Sequence, residues 1–247
     1  MMLCKWEKLP AELQIETVRP YYDMLRKKQL SLFFKRIFDI VVSAVMLVIL
    51  SPVFLVLAVA IKLDSPGPVF YRQVRVTQYG KQFRIFKFRS MVQGADKGSL
   101  VTVGADSRIT RVGHFIRKCR LDEICQLIDI LRGTMTFVGT RPEVPKYVAS
   151  YTPEMLATLL LPAGVTSLAS IFYKDEDMLL EGAPDVDRAY IEEVLPGKMR
   201  YNLEAIEKFG FFGDIKVMVM TVFAVLGKAH TDDSRDEAFV ETTGKKN

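Results

Sequence analysis

Residues Ile37–Leu63 read IFDIVVSAVMLVILSPVFLVLAVAIKL, an apolar run without a charge between Ile40 and Ile61. These 22 uncharged residues are enough for one helix to cross a bilayer. The run does not resemble a cleavable signal peptide, because it starts late and lacks a small-residue cleavage site. A simple spanning helix is therefore the first interpretation to weigh.

Two features of the run argue against a straight spanning helix. Ser51-Pro52 lies in its middle, where proline removes a backbone donor and bends or breaks a helix. Both flanks are basic, with Lys35 and Arg36 at the start and Lys62, Arg72 and Arg75 at and beyond the end. The positive-inside preference then places both ends on the cytoplasmic side. We predict a re-entrant membrane hairpin over residues 34–64, broken at Ser51-Pro52.

Two polar side chains of this hairpin have expected roles. The Ser51 hydroxyl can bond backbone groups that the break leaves unpaired. Asp39 is expected to lie at the membrane interface and to pair with Arg36 rather than face hydrocarbon.

Composition narrows the possible partners. The chain has 247 residues, a formal charge of +5 and a pI near 9.0, which indicates acidic partners such as phosphates or an anionic membrane face. No zinc-finger or aromatic nucleic-acid-binding pattern is present, so nucleic acid is not an expected partner. Three cysteines and two histidines form neither a disulfide framework nor a zinc signature.

The residues after the hairpin predict a small mixed α/β domain over residues 65–230, on the cytosolic side. Ser65-Pro66-Gly67-Pro68 is a turn. Two β-like runs, Val69–Val76 and Lys81–Phe88, predict a β-hairpin across the four residues between them. The further predicted elements are a polar loop (Val92–Asp106), helices at Arg111–Lys118, Leu121–Leu131, Pro153–Leu161 and around Asp187–Glu193, a strand (Met135–Val138), an extended segment (Gly164–Phe172) and an acidic segment (Lys174–Glu181).

Three segments are less defined. Residues 1–33 form an N-terminal extension whose role the sequence does not indicate. Asp214–Gly227 fits either a core helix or an amphipathic helix in the membrane interface. Residues 231–247 are polar and predicted to be disordered.

An acidic pair, Asp122 and Glu123, follows a basic stretch in which no acidic residue occurs from Ser107 to Leu121. Carboxylates among fixed positive charges stay ionised and can hold a divalent metal, while arginines bind phosphate oxygens. The alternative is that the pair opens an amphipathic helix, where the macrodipole favours acidic side chains. Gly133 is the expected end of that helix.

A long ordered set of motifs resembles the bacterial sugar transferases, a family of monotopic polyprenol-phosphate phosphoglycosyl transferases. The matching residues are Lys35-Arg36, Asp39, Ser51-Pro52, Lys62, Ser65–Gln73, Gly80-Lys81, Lys87–Met91, Arg108–Gly113, Arg117, Leu121-Asp122-Glu123, Gln126-Leu127, Leu131-Arg132-Gly133, Met135, Val138-Gly139 and Arg141-Pro142. They cover roughly half of the chain. The chain looks like the small catalytic-core form of the family.

The resemblance implies a reaction. A sugar-1-phosphate would pass from a UDP-sugar to undecaprenyl phosphate with release of UMP, at the cytoplasmic face of the bacterial inner membrane. The family's route is Mg²⁺-dependent and runs through a covalent phospho-sugar enzyme. Asp122 would be the nucleophile and Glu123 its partner in placing the metal, with ligation divided between them in a way that stays open.

The resemblance also implies phosphate-binding roles for Lys87, Arg117, Arg141 and the adjoining Pro142. The neighbouring thiol of Cys125 faces the apolar stripe of its helix and is predicted to be a core residue instead. The donor sugar, the glycan pathway (capsule, O-antigen, exopolysaccharide or glycoprotein) and the oligomeric state stay open.

Two other interpretations stay in view. One is a non-catalytic, membrane-anchored basic module that binds anionic lipid or a partner. The other is an enzyme that transfers in a single displacement, in which Asp122 only binds metal.

Overall fold

A computed structural model describes residues 3–95, 107–173, 180 and 183–225. The helices are α1 (Arg19–Lys27), α2 (Gln29–Ile49), α3 (Ser51–Asp64), α4 (Arg111–Lys118), α5 (Leu127–Arg132), α6 (Pro145–Val148), α7 (Leu168–Phe172), α8 (Val186–Ala189), α9 (Leu195–Glu207) and α10 (Phe211–Val225). The strands are β1 (Phe70–Val76), β2 (Gln82–Phe88), β3 (Met135–Val138) and β4 (Ala163–Thr166). Short 3-10 helices lie at Trp6–Lys8, Ala11–Leu13, Gln78–Gly80, Leu121–Gln126 and Met155–Leu160, and a π-helical turn at Tyr190–Val194 joins α8 to α9.

The apolar run forms a bent pair of helices. Within the described residues, no single helix combines the length and apolar composition needed to cross a bilayer, whereas α2 and α3 pass that test together across a bend of 61°. The bend falls at Leu50, directly before Ser51-Pro52, and Pro52 lies in the first turn of α3. The Ser51 hydroxyl donates to the Val48 carbonyl at 2.8 Å, as the sequence predicted.

Polar side chains fasten α2 to the rest of the domain. Lys35 donates to the Val138 carbonyl and pairs with the carboxylate of Asp214 in α10. Asp39 is 1% exposed and accepts hydrogen bonds from the Thr136 hydroxyl and the Phe137 amide of β3. These four bonds join the bent pair to the rest of the domain.

The predicted Asp39–Arg36 pair is wrong. The Arg36 guanidinium donates instead to the carbonyls of Ile130 and Leu131 in the last turn of α5. α5 ends at Gly133, whose left-handed φ of 86° suits glycine, and this confirms the predicted stop. Asp39 instead faces β3, which lies about 100 residues further along the chain.

Two small sheets carry the segments that surround the acidic pair. β1 and β2 form the predicted antiparallel hairpin, and β3 pairs with β4 in parallel. At the turn before β1, a side chain on Gly67 would collide with the Arg89 guanidinium, which donates to the carbonyls of Ser65 and Pro66. Glycine there lets the backbone pass close to a buried arginine.

Among the described residues, four apolar clusters hold the domain together. One joins the bent pair to the β-hairpin and α4, through Leu57, Ile61, Phe88 and Ile116. Another packs the N-terminal residues and α1 against Met155–Leu160 and the end of α9. The predicted mixed helix-and-strand domain is thus confirmed, with helices predominating over two-stranded sheets.

Several predicted elements differ in detail. Gly164–Phe172 is extended only as far as Thr166. It then turns into α7, whose first amides are capped by the Ser167 hydroxyl through the Ser170 amide at 3.0 Å. The helix predicted at Leu121–Leu131 is a 3-10 segment followed by α5. The predicted loop beyond residue 95, most of the acidic segment and residues 231–247 lie outside the described residues.

One face of α10 packs in the core. It packs against α2, α7 and β3, and the Thr221 hydroxyl bonds that of Thr166 at 2.7 Å. Its other face exposes large apolar side chains, among them Phe212 at 84% and Val222 at 57%.

Candidate active site

The acidic pair sits immediately after a sharp reversal of the chain. α4 ends at Lys118, and Arg120 then adopts a left-handed φ of 55°, which is uncommon for a residue other than glycine. The 3-10 helix Leu121–Gln126 starts there, and Cys125 anchors it in the core at 0% exposure. Burial raises the pKa of the Cys125 thiol, so its predicted role as a core residue is confirmed.

Glu123 is held by two cations. Lys87 Nζ lies 2.9 Å from Oε1 of Glu123, and the Arg141 guanidinium meets both carboxylate oxygens in a fork. Burial raises the pKa of Glu123, but Arg141 and Lys87 outweigh it and hold this pKa well below its usual range. Glu123 is therefore ionised at neutral pH, and its main effect is to fix two cations in place.

Asp122 has a different environment. Burial raises the pKa of its carboxyl above the ordinary value, and the Glu123 charge adds to this rise, whereas Lys87 and Arg117 act in the opposite direction. The sequence predicted that surrounding cations would favour the ionised form of both carboxylates. That holds for Glu123, while for Asp122 burial outweighs the cations.

The Asp122 carboxyl opens onto a cavity of about 680 Å³, which we call the basic cavity. It lies between the β-hairpin, the end of α4 and the described part of the loop after β2. Its cationic lining side chains are Arg72, Arg75, Lys87, Arg89, Arg108 and Arg117. Such a lining suits a ligand with several negative charges, and the volume falls in the range of about 300–1,000 Å³ typical of ligand pockets.

Arg89 adds a detail to this cavity. Its side chain is 5% exposed, and among the described residues its Nε is a buried nitrogen without a hydrogen-bond partner. Buried donors are nearly always paired in folded proteins. The terminal guanidinium nitrogens of Arg89 bond the carbonyls of Ser65 and Pro66, so this side chain supports the cavity wall from within the fold.

Glu123 lines a second cavity, on another side of the same 3-10 helix. This amphipathic cavity has a volume of about 400 Å³. Its charged lining residues are Lys118, Arg120, Glu123 and Arg141. The rest of its wall is mostly apolar and comes from α2, the 3-10 helix, α5, β3, β4, α7 and α10.

The loop that carries Arg141 is supported by a buried polar network. The Pro142 carbonyl accepts from Arg75 at 3.0 Å. The next residue, Glu143, is 6% exposed and accepts from the Tyr190 hydroxyl at 2.6 Å, while Lys198 Nζ donates to that hydroxyl at 2.9 Å. The α8–α9 region thus fixes the backbone from which Arg141 reaches Glu123.

Residues 30–228 match the family model described as bacterial sugar transferase. This chain belongs to the bacterial sugar transferase family. The match includes the bent helix pair, both cavities and α10, and the N-terminal 3-10 helices and α1 precede it.

Curated relatives of the family cover most of this chain. A UDP-glucose:undecaprenyl-phosphate glucose-1-phosphate transferase of Klebsiella pneumoniae is 34% identical over 200 residues, which are 78% of this chain and 40% of the relative. A UDP-N-acetylgalactosamine-undecaprenyl-phosphate N-acetylgalactosaminephosphotransferase of Aeromonas hydrophila is 33% identical over 198 residues, or 78% and 44%. A glucose-1-phosphate transferase of Caulobacter vibrioides is 32% identical over 196 residues, or 78% and 69%. The match spans about two fifths of the Klebsiella and Aeromonas relatives.

Of the two carboxylates, only that of Asp122 is positioned for the expected Mg²⁺. In the described part of the chain, no group of three or more His, Cys, Asp or Glu side chains is arranged to hold a metal ion. Both oxygens of Glu123 are engaged by cations, which leaves Asp122 as the carboxylate facing the basic cavity. Mg²⁺ is commonly bound by one or two carboxylates together with substrate phosphates. Asp122 is therefore the carboxylate whose position suits such a contact.

The structure brings the predicted site residues together but distributes them between two cavities. Lys87 and Arg117 line the basic cavity with Asp122, while Arg141 lines the amphipathic cavity with Glu123. Pro142 contributes its carbonyl to Arg75 rather than a direct contact with the acidic pair. Ser51-Pro52 lies at the bend, and neither residue is among those that line the two cavities.

Sequence reasoning missed part of the site. Arg75 and Arg89 had been read only as a flanking charge and a motif residue, yet both line the basic cavity. Thr221 and Ala224 line the amphipathic cavity from a helix about 100 residues beyond the acidic pair. The small residues on the inner face of α10 were the available signal for such a contribution.

Proposed function

We propose that this protein transfers a sugar-1-phosphate from a UDP-sugar to undecaprenyl phosphate and releases UMP. The product, a sugar joined to undecaprenyl through a diphosphate, would start the assembly of a larger glycan. The observation that carries the proposal is the Asp122 carboxyl in the wall of a cavity lined by six cations. The named activities of the relatives support the same reaction class.

In the first step, a carboxylate oxygen of Asp122 attacks the phosphorus next to the sugar. The bond between that phosphorus and the bridging diphosphate oxygen breaks, and UMP leaves with the electron pair. Arginines around the cavity offset the repulsion between the carboxylate and the diphosphate and orient the phosphorus for in-line attack. Bound Mg²⁺ would add charge neutralisation on the diphosphate.

In the second step, a phosphate oxygen of undecaprenyl phosphate attacks the phosphorus held on Asp122. The acyl-phosphate bond breaks, the carboxylate is restored, and the new diphosphate carries the sugar. Each step forms one P–O bond and breaks one, so the enzyme returns to its starting state. A covalent intermediate allows one carboxylate to serve a water-soluble donor and a lipid acceptor in turn.

The bent pair α2–α3 supports the location that the reaction requires. We infer that it enters one leaflet from the cytoplasmic side of the bacterial inner membrane without crossing it. Apolar side chains exposed along both helices, such as Val48 at 74% and Leu55 at 67%, would then face hydrocarbon. Asp122 would lie near the membrane surface, where the phosphate of the acceptor is found.

One experiment separates this proposal from its alternatives. The full chain, with Mg²⁺, is incubated with a panel of UDP-sugars in the absence of acceptor and is then analysed by intact and peptide mass spectrometry. We expect one donor to give a mass increase equal to a phospho-sugar on Asp122, together with one equivalent of UMP. Undecaprenyl phosphate should remove the adduct.

The control is Asp122→Asn, whose side chain keeps the shape but cannot form the adduct. If Asp122→Asn turns over at the wild-type rate, the covalent route is wrong. UMP release that requires acceptor, without an adduct, would support the single displacement. If no donor gives UMP under any condition, the non-catalytic binding module is the better interpretation.

A further inference from the structure

Asp129 is a buried acidic residue that the proposed reaction does not use. It lies in α5 and is 2% exposed. One of its carboxylate oxygens accepts from the amide of Phe86 in β2 at 2.8 Å, across 43 residues of the chain. Burying a carboxylate is costly unless neighbouring donors and cations compensate, and both kinds of partner are present here.

The outer edge of β2 is completed by two side chains of opposite charge. Among the described strands β2 pairs only with β1, so its other edge has no strand partner. In an extended strand, the carbonyl of one residue and the amide two residues later point to the same side. Here the Arg84 carbonyl accepts from Nε of Arg72 at 3.2 Å, and the Phe86 amide donates to Asp129. A guanidinium and a carboxylate thus occupy the places that a third strand would take.

The ring of Phe86 holds the Arg72 guanidinium from a second direction. Arg72 and Phe86 stand directly opposite each other in the hairpin. Because the Phe86 amide points to the outer edge, the two residues form a non-hydrogen-bonded pair, in which side chains approach closely. The guanidinium carbon of Arg72 lies 3.5 Å from the ring centre, and that of Arg132 lies 4.9 Å from it. Two cations therefore share one aromatic ring beside the Asp129 carboxylate.

The charge of Asp129 acts on these two cations. Burial raises the pKa of the Asp129 carboxyl, while the Phe86 amide and the charges of Arg72 and Arg132 oppose that rise. Cations that favour the ionised carboxylate are attracted by it in return. Arg72 is exposed, and an exposed arginine without such partners samples many rotamers. Arg72 lines the basic cavity, whereas Arg132 is not among the described residues that line it.

We propose that Asp129 is a positioning residue for the transfer reaction and that it acts through Arg72. Its carboxylate completes the edge of β2, and its charge keeps the Arg72 guanidinium against the Phe86 ring, where it meets the diphosphate of the donor. This assignment rests on the proposed function, from which it takes the diphosphate donor. Asp129 itself touches no substrate. A cation that is already ordered before the donor arrives reduces the entropy lost on binding.

A double-mutant cycle in the full chain, in lipid nanodiscs with Mg²⁺, tests the connection between the two side chains. Asp129→Asn removes the charge but keeps an oxygen for the Phe86 amide, and Arg72→Gln removes the cation. We expect Asp129→Asn to lower kcat/KM for the UDP-sugar about tenfold with little change in Tm. In the Arg72→Gln background it should have no further effect, because the residue through which it acts is missing. Losses that multiply in the double variant would overturn the proposal.

Three further variants separate positioning from stability. Arg132→Gln is the matched control, since this cation shares the Phe86 ring but lies outside the basic cavity, and kcat/KM should stay at the wild-type value. Asp129→Ala also removes the acceptor for the Phe86 amide and should lower Tm. A kcat/KM that falls only in step with Tm would show an ordinary structural role and overturn the proposal.

Arg72→Lys keeps the charge but lacks the planar fork that both stacks on the ring and bonds the Arg84 carbonyl. It should lose a factor similar to that of Arg72→Gln. Wild-type kinetics in Arg72→Lys would show that a fixed guanidinium is not needed, and this would overturn the proposal even if the Asp129 variants fail to fold.

Binding without turnover separates this proposal from the proposed function. UDP with Mg²⁺ is titrated into each protein by calorimetry. We expect Asp129→Asn and Arg72→Gln each to raise the Kd about tenfold, and the double variant to match Arg72→Gln. If wild-type protein releases no UMP from any donor, the proposed function fails, while this binding pattern would still support Asp129 as a positioning residue for a diphosphate. Unchanged UDP affinity in both variants overturns the proposal, and so does the absence of UDP binding by wild-type protein.

Discussion

Asp122 and Glu123 are neighbours in the chain, yet they open onto different cavities. The cause is local, because a 3-10 helix has three residues per turn and successive side chains point about 120° apart. Asp122 is thereby exposed to the basic cavity, while Glu123 meets Lys87 and Arg141. One short helix thus separates the carboxylate that we propose to react from a carboxylate held by two cations.

We predict that Glu123→Gln lowers turnover about 10- to 100-fold, because Lys87 and Arg141 lose the anion that orients them. It should also lower the free energy of unfolding by about 1–3 kcal/mol, since two partly buried cations lose a charged partner. Steady-state kinetics and urea denaturation measure the two effects. The control is Glu192→Gln, which breaks an exposed pair with Arg188 and should change little. Wild-type turnover in Glu123→Gln would contradict the role assigned to Glu123.

The network behind Arg141 gives a second prediction. Lys198→Met leaves the buried Glu143 carboxylate without its ammonium partner, which we expect to cost about 3–5 kcal/mol in the free energy of unfolding. Lys208→Met removes an exposed lysine that pairs with Glu204 and should cost less than about 1 kcal/mol. Adding Glu143→Gln to Lys198→Met should recover part of the loss. Equal losses in the two lysine variants would show that the network contributes nothing.

Asp64, at the end of α3, provides a pH-dependent contact with α4. Its carboxylate accepts from the Thr110 side chain and from the Val112 amide at 3.0 Å, and these bonds lower its pKa. A lowered folded-state pKa means that the contact stabilises the fold above the ordinary Asp pKa of about 3.9 and that this stability is lost as the pH falls through the folded-state value.

The matching measurement compares wild type with Asp64→Asn in thermal unfolding between about pH 7 and pH 3. The difference in Tm should be constant above about pH 5 and should shrink below about pH 4, where the carboxyl of the wild type becomes protonated. A difference that stays constant down to the lowest pH would mean that the charge of Asp64 is irrelevant.

The membrane topology is open to a direct test. Cysteines placed at Phe34 and Lys62, in a background with Cys4→Ser and Cys119→Ser, should react with an impermeant maleimide from the same side of the membrane. Ser65 is unsuitable for this purpose because its carbonyl and hydroxyl hold Arg89. Labelling from opposite sides would show that α2 and α3 cross the bilayer.

Local patterns were sufficient for much of the fold. The β-hairpin, α4 at Arg111–Lys118, β3 at Met135–Val138 and the bend beside Ser51-Pro52 all follow from alternation, helical spacing, turn residues and proline. α7 was missed although a capping signal, Ser167 followed three residues later by Ser170, was present. The alternation of small and apolar residues there is shared by a strand and a short buried helix.

Long-range partners could not be read from the sequence. Lys35 pairs with Asp214, 179 residues away, and Asp39 bonds Thr136, 97 residues away. Each has oppositely charged residues much nearer in the chain. Such choices are made by packing of the whole domain. The acidic pair lies among cations, as its sequence neighbourhood suggested, but its division between two cavities depends on the 3-10 geometry, which composition does not encode.

The bonds from Lys35, Arg36 and Asp39 to the domain have a consequence for lipid selection. If a flexible linker joined the bent helix pair to the domain, the distance between the Asp122 carboxyl and the bilayer would vary. Here the first helix is bonded to α5, β3 and α10, so the vertical distance from its apolar surface to Asp122 is built into the fold. On the proposed topology, a lipid phosphate reaches Asp122 only if it lies at that distance from the hydrocarbon. The position of the phosphate across the bilayer then selects the lipid in addition to its chemical structure.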